Sequence, residues 1–276
     1  MEKIMLKRKE NPLRTSRKPS NLNDPNKQSW YRGIMGLISF SSILPLNIHS
    51  SIEEMARFTW MWPLIGGFIG VLVGMVGWLL SDVIFFPHII AATLVYSFAI
   101  SFTGFHHLDG LIDIGDALMA HGDSKRKIEI MRDSRIGTGG IVLFVMVALI
   151  TVGSIYSLPP FSIFYALIIS EIAAKLSLVS CCTISRPFNN GTGAYFIKAM
   201  NLPLLTLISA LSLIIGFLVL NILGIVGILG GILGGLLMGL LARSKFEYAT
   251  GDVLGASNEI GRVVALLAII LAFIWI

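Results

Sequence analysis

Charge is what this sequence has least of. Asp, Glu, Lys and Arg together make up 13% of its 276 residues, about half the share of a soluble globular domain. Mean hydropathy is +0.81. That scarcity excludes an ordinary soluble domain and places most of the chain in lipid. Cysteine is nearly absent. Cys181 and Cys182 are adjacent, which is neither a zinc spacing nor a disulfide framework, and they read as small buried residues. Also missing is the alternation over about ten residues that a membrane β-barrel needs. Residues 1–29 lack the apolar stretch of a signal peptide.

What the chain does have is a series of continuous apolar runs, at 62–80, 88–106, 139–157, 161–183, 203–221, 222–241 and 262–276. All but the last have the length of a membrane helix. The last is marginal at about 15 residues. Residues 31–48, interrupted by Pro45, read as a short or re-entrant helix. The expected fold is all-α, a polytopic transmembrane bundle of about 6–8 membrane helices. Residues 30–276 are expected to form a single membrane-embedded domain behind a basic, disordered tail, 1–29, which suits anionic headgroups. No folded basic domain follows that tail, so nucleic acid is not an expected partner; the lipid bilayer is. The glycines of the 222–241 run, from Gly224 to Gly239, predict close helix packing.

Lys and Arg gather in the tail and in 107–138, 184–202 and 242–262, whereas 81–87, 157–161 and the link near 221 have none. By the positive-inside rule the basic loops and the N-terminus are cytoplasmic. Two charges fall inside an apolar run. Glu171 and Lys175 are four apart, so they share a helix face and can pair, or they form the polar wall of a substrate cavity.

The densest polar stretch is 106–137, HHLDGLIDIGDALMAHGDSKRKIEIMRDSRIG. Asp109, Asp113 and Asp116 stand at i, i+4 and i+7, on one helical face. Carboxylates that close repel each other and need a positive partner. Magnesium is the natural candidate, since it takes carboxylate oxygens and leaves positions for substrate phosphates; a solvated acidic face is the plainer reading. The same stretch supplies Arg132 and Arg135, whose guanidinium forks suit phosphate, and Lys125 to Lys127, which serve equally as a cytoplasmic cap. Gly137, Gly139 and Gly140 allow a turn whose N–H groups face an anion. A second polar stretch, 248–262, holds Asp252, Asn258 and Glu259, which either complete a metal or substrate-hydroxyl site or cap a loop. A third begins at Arg186 and runs into Gly191 and Gly193. His107 adjoins the acidic cluster as a candidate acid or base.

These residues carry a family resemblance. It lies in Thr103-Gly104, His107-Leu108-Asp109-Gly110-Leu111-Ile112-Asp113 and Asp116; in Glu129-Ile130-Met131-Arg132-Asp133-Ser134-Arg135-Ile136-Gly137 and Gly140; and in Thr250-Gly251-Asp252-Val253-Leu254-Gly255-Ala256 with Glu259. Pro63 to Gly70 and Arg186-Pro187 add weaker blocks. The sequence resembles the cobalamin synthase, or adenosylcobinamide-GDP ribazoletransferase, family across roughly residues 33–262. It departs from the family at Phe105 and His106, where glycine and an apolar residue are usual, and at Ala117, where glycine is. The resemblance implies joining of adenosylcobinamide-GDP to α-ribazole or its 5′-phosphate with release of GMP, at the cytoplasmic membrane face, with magnesium. On that reading Asp109, Asp113, Asp116 and Glu259 are the metal ligands. Arg132, Arg135, Arg186, Asp252 and Asn258 bind substrate, and the base is an aspartate (Asp109 or Asp133) or His107. Other cobalamin-assembly enzymes and further copies of the chain are the protein partners it allows. A CDP-alcohol or prenyl-diphosphate transferase also uses aspartates and magnesium in a membrane, and a transporter is the rival from another class. Against the transporter, the charges gather in one-sided loops without an evident repeat.

Overall fold

The structure, a computed structural model, describes residues 30–133, 135–189 and 191–275; the basic tail expected at 1–29 lies outside them. Eleven α-helices follow in order among the described residues: α1 (Trp30–Ser41), α2 (Ile52–Ala56), α3 (Trp62–Trp78), α4 (His88–Phe102), α5 (His106–Met119), α6 (Ser124–Met131), α7 (Thr138–Ser157), α8 (Ile163–Ile184), α9 (Thr192–Ala199), α10 (Leu202–Lys245) and α11 (Gly251–Trp275). No β-strand is present among them, in line with the all-α expectation. Five helical stretches are long and apolar enough to cross a bilayer: Thr59–Val83, Thr138–Ser157, Pro160–Ile184, Leu202–Lys245 and Gly251–Trp275.

The fourth stretch cannot be one straight rod. Its 44 residues would extend about 66 Å, roughly twice the 30 Å hydrocarbon core. Leu220 and Asn221 leave helical geometry, Asn221 at φ 50°. A Cβ on Gly224 would fall 1.9 Å from the Gly216 carbonyl oxygen, an approach open only to a chain that has doubled back. α10 is therefore a helical hairpin, and its two arms match the separate runs at 203–221 and 222–241.

Almost wholly buried, α8 is the axis of the bundle. Gly66, Gly70 and Gly74 of α3 meet the α8 backbone or Cβ at Glu171, Ile168 and Phe164 in antiparallel sense. Gly227, Gly231 and Gly235 on the second arm of α10 meet Ile169, Ala173 and Ser177 in parallel sense, and Gly239 meets Ile184. A Cβ at Gly235 would lie 2.1 Å from the Ser177 carbonyl oxygen. Between lipid-embedded helices burial gives little drive, and close backbone packing supplies the attraction instead.

Two sequence readings need correction. The stretch 242–262, read as a basic loop before a marginal last span, is helical up to Lys245 and again from Gly251 onward, so the final helix has 25 residues. Arg262 lies inside the bundle, 2% exposed, with its guanidinium between Glu171 and Glu259. Hydropathy misses this because the compensating charge comes from a distant helix. For the same reason Glu171 does not pair with Lys175. It takes Arg262 at 2.7 Å, and Lys175 Nζ turns to His107 Nε2, 2.7 Å away.

At the other end of the acidic stretch, α4 and α5 meet at 96°. Gly104 at φ 68° and Phe105 at φ 59° make the corner. The run at 88–106 therefore ends as a 15-residue helix, and α5 turns away to form part of the site end of the bundle, outside the five membrane-length stretches.

Candidate active site

The site is built where α5 crosses the start of α11. A Cβ on Gly110 would lie 2.6 Å from the Asp252 carbonyl oxygen, and one on Gly255 would lie 3.3 Å from the His107 Cα. Only glycine lets the helices approach this closely, and the approach sets Asp252 beside the α5 carboxylates. Burial, then the charges of Asp252, Asp109 and Asp116, pushes the Asp113 carboxyl up to about 7. Three acids from two helices thus share one face. Asp252 accepts a hydrogen bond from the Thr250 hydroxyl at 3.1 Å, which orients its carboxylate.

Asp116 has a different task. It accepts from the Gly137 N–H at 2.7 Å and the Gly140 N–H at 2.8 Å. The glycine turn does present N–H groups to an anion, and that anion belongs to the protein. Asp116 thereby caps α7, whose first-turn donors have no helical partner. Gly115 packs on Gly139 and Gly140, which brings the two helices within reach.

The basic residues separate in the same way. Arg132 lies over the Phe188 ring, 4.8 Å from its centroid, and lines a cavity of about 220 Å³ with Asp252, Thr250, Thr192 and Gly193. Arg135 is instead exposed and pairs with Asp133 at 2.5 Å; its hydrogen bonds hold the Asp133 carboxyl down at about 2. The side chain of Arg186 is exposed, while its carbonyl accepts from the Ala249 N–H at 2.8 Å and the Ala249 carbonyl accepts from the Phe188 N–H at 3.1 Å. These bonds staple the α8–α9 loop to the α10–α11 loop.

Asn258 and Glu259 are not on the acidic face. Both are buried; Glu259 pairs with Arg262 and accepts from Asn258 Nδ2 at 3.1 Å. His107 lines a second cavity, of about 280 Å³, with Asp109, Asp252, Phe40, Trp62 and Phe196. Its Nε2 is taken up by Lys175, and its Nδ1 is buried without a partner among the described residues. Thr250 and Phe188 are the members of the site to which pattern reasoning gave no role. The Thr250 role was readable in principle from Thr-x-Asp at a helix start, where a hydroxyl serves as a cap.

The two cavities share Thr192, Gly193, Gly251 and Asp252. A third, of about 420 Å³, shares Arg132 and Phe188 with the first, the cavity of about 220 Å³. Together they form a trough that runs past the acidic face at one end of the bundle. Among the described residues no three His, Cys, Asp or Glu groups already converge as a metal cluster.

A helical bundle of this length and apolarity, with a polar trough at the end where the acidic and guanidinium groups meet, is that of an integral membrane protein with a polar site at one end. Residues 33–270 match the family model described as cobalamin-5-phosphate synthase, and the chain belongs to that family. It is 32% identical to the adenosylcobinamide-GDP ribazoletransferase of Methanosarcina barkeri over 83% of this chain and 88% of that one. It is 33% identical to the enzyme of the same name from Thermococcus kodakarensis over 87% and 97%, and 30% identical to that from Clostridium botulinum over 85% and 96%. No solved structure matches the chain.

Proposed function

We propose that this protein transfers the cobinamide phosphate of adenosylcobinamide-GDP to α-ribazole or its 5′-phosphate, releasing GMP in the last assembly step of cobalamin synthesis. One observation carries the reading: Asp109 and Asp252, with Asp113 close enough to feel their charge, line a trough with Arg132 that is formed by the segments that match the family. A CDP-alcohol or prenyl-diphosphate substrate would have left a different family match.

The carboxylate oxygens suit magnesium, which commonly binds through one or two carboxylates and completes its shell with water and substrate phosphate. Asp109, Asp113 and Asp252 would hold it. Burial and then the neighbouring carboxylates hold the Asp113 carboxyl up, a condition that a cation among them would relieve. Such an ion would neutralise pyrophosphate charge. The protein's part is then largely to position groups and balance charge, as in other phosphoryl transfers. Arg132, which lines the same cavity as Asp252, binds phosphate oxygens from the adjoining wall. A ribose hydroxyl of the ribazole that stays free in the 5′-phosphate attacks the cobinamide-side phosphorus, the bond to the GMP oxygen breaks, and the hydroxyl proton passes to a carboxylate of the acidic face. His107 is poorly placed to take it, with Nε2 engaged and Nδ1 sealed. Asp116, occupied with α7, supports the site rather than the ion.

Apart from Lys175 and Arg262, the described Lys and Arg residues lie toward the trough end, and the links at 82–87 and 158–161 carry none. The positive-inside rule therefore favours a trough open to the cytoplasm of a cell membrane. The test is to purify the protein and measure GMP release from adenosylcobinamide-GDP with each ribazole acceptor, with magnesium and after chelation. Release only with acceptor and metal is expected. Turnover of CDP-alcohol or prenyl diphosphate instead, or corrinoid flux across vesicles without GMP, would reject the assignment.

A further inference from the structure

We propose that the cavity between α6 and the two stapled loops reads the guanine base of the activated corrinoid, with Glu247 as the residue that selects guanine. The inference rests on the transferase reading above. The cavity is lined by Ser124, Glu129, Arg132, Phe188, Glu247 and Tyr248, among others. It joins the acidic face through Arg132 and Phe188. A nucleotide whose phosphates lie against Arg132 therefore has its base on this side.

The walls have the chemistry of a base pocket. Phe188 and Tyr248 stand edge to face, 6.0 Å between centroids, and their rings offer a stacking surface. Stacking alone tolerates any base; selection comes from hydrogen bonds to the base edge. Guanine presents two adjacent donors there, N1–H and the N2 amino group, which match the two oxygens of one carboxylate. Adenine presents no such pair, and hypoxanthine keeps only N1–H.

Of the two acids in the cavity, Glu129 is committed to Arg126 at 3.3 Å on its own helix. Glu247 is held differently. It adopts φ 65°, a conformation that side-chain-bearing residues rarely take, and its Oε1 accepts from the Ser124 hydroxyl at 2.9 Å across the cavity. A glycine would fit that backbone without strain, so the carboxylate is present at a conformational cost. Backbone strain of this kind gathers at ligand sites.

The test is equilibrium binding of GDP, IDP and ADP, with magnesium, to the full-length protein in detergent, which needs no turnover. The wild type is expected to bind GDP about tenfold more tightly than IDP, the size of one hydrogen bond to a charged group, and ADP more weakly still. Glu247→Gln should collapse the GDP/IDP ratio toward one, while Glu129→Gln leaves it unchanged. Glu247→Gly removes the carboxylate and suits the backbone, so it separates lost recognition from misfolding: its ratio should collapse with thermal stability kept. An unchanged ratio in both Glu247 variants, or a wild type that does not prefer GDP, overturns the proposal. GMP release from the corrinoid substrate, assayed alongside, reports on the transferase reading independently.

Discussion

Two charge clusters lie close together in this protein and are built on opposite terms. The inner one, between α8 and α11, sets Glu171 and Glu259 against Arg262, with Lys175 beside His107, and all four charged side chains are at most 2% exposed. Its two negative charges meet two positive ones. The outer one gathers Asp109, Asp113 and Asp252 with Arg132 on the adjoining wall. A closed account is what burial in lipid demands, because an unpaired ion there is expensive. The outer excess of negative charge is sustainable only beside water or an incoming cation. Balance marks the part that holds helices in place, and imbalance marks the part that meets substrate.

The largest effect should come from removing a member of the unbalanced cluster. Asp109→Ala is expected to lower transfer on the order of 10³-fold or more, comparable to losing a key electrostatic group in other enzymes. Membrane insertion and thermal stability in detergent should stay near wild type. Full activity in this variant would remove the acidic face from the mechanism. Arg262→Met addresses the other cluster. It leaves two carboxylates buried without the cation they share, which costs about 3–5 kcal/mol in comparable cases. The melting temperature should fall sharply, and adding Glu171→Gln and Glu259→Gln should recover much of it. A variant that melts like wild type would show that the inner charges are not compensating each other.

The membrane spans were legible because an apolar run of crossing length has few other uses, and the boundary between the runs at 203–221 and 222–241 fell at the turn of the α10 hairpin. The first turns of α11 were not. Asp252, Asn258, Glu259 and Arg262 look like loop residues until Glu171, 91 positions away, is known to answer Arg262. The same limit applies to the site. The three aspartates of α5 share a face in sequence, but which of them meets a ligand depends on what crosses that face. Gly110 brings Asp252 to two of them, and Gly115 brings the α7 turn to the third.

Asp116→Ala sharpens that division. With both carboxylate oxygens on N–H groups of α7, its loss should cost about 1 kcal/mol, the usual price of a helix cap. Transfer should fall far less than in Asp109→Ala. Equal loss of activity in the two variants would place Asp116 with the unbalanced cluster.

The smallest expected effect concerns the corner that aims α5 across α11. Phe105 holds φ 59°, a left-handed conformation that costs a side-chain-bearing residue roughly 1–2 kcal/mol. Its ring is half exposed, at 51%, so little packing offsets that strain. Glycine is the residue for which this backbone carries no penalty. Phe105→Gly regains the strain but frees the unfolded chain, which takes back about 0.5–1 kcal/mol. A net gain of up to about 1 kcal/mol in thermal unfolding is therefore expected, with transfer unchanged because the helix axis does not move. A clear loss of stability would mean that the ring, seated at the membrane surface, holds the corner more firmly than the backbone strains it.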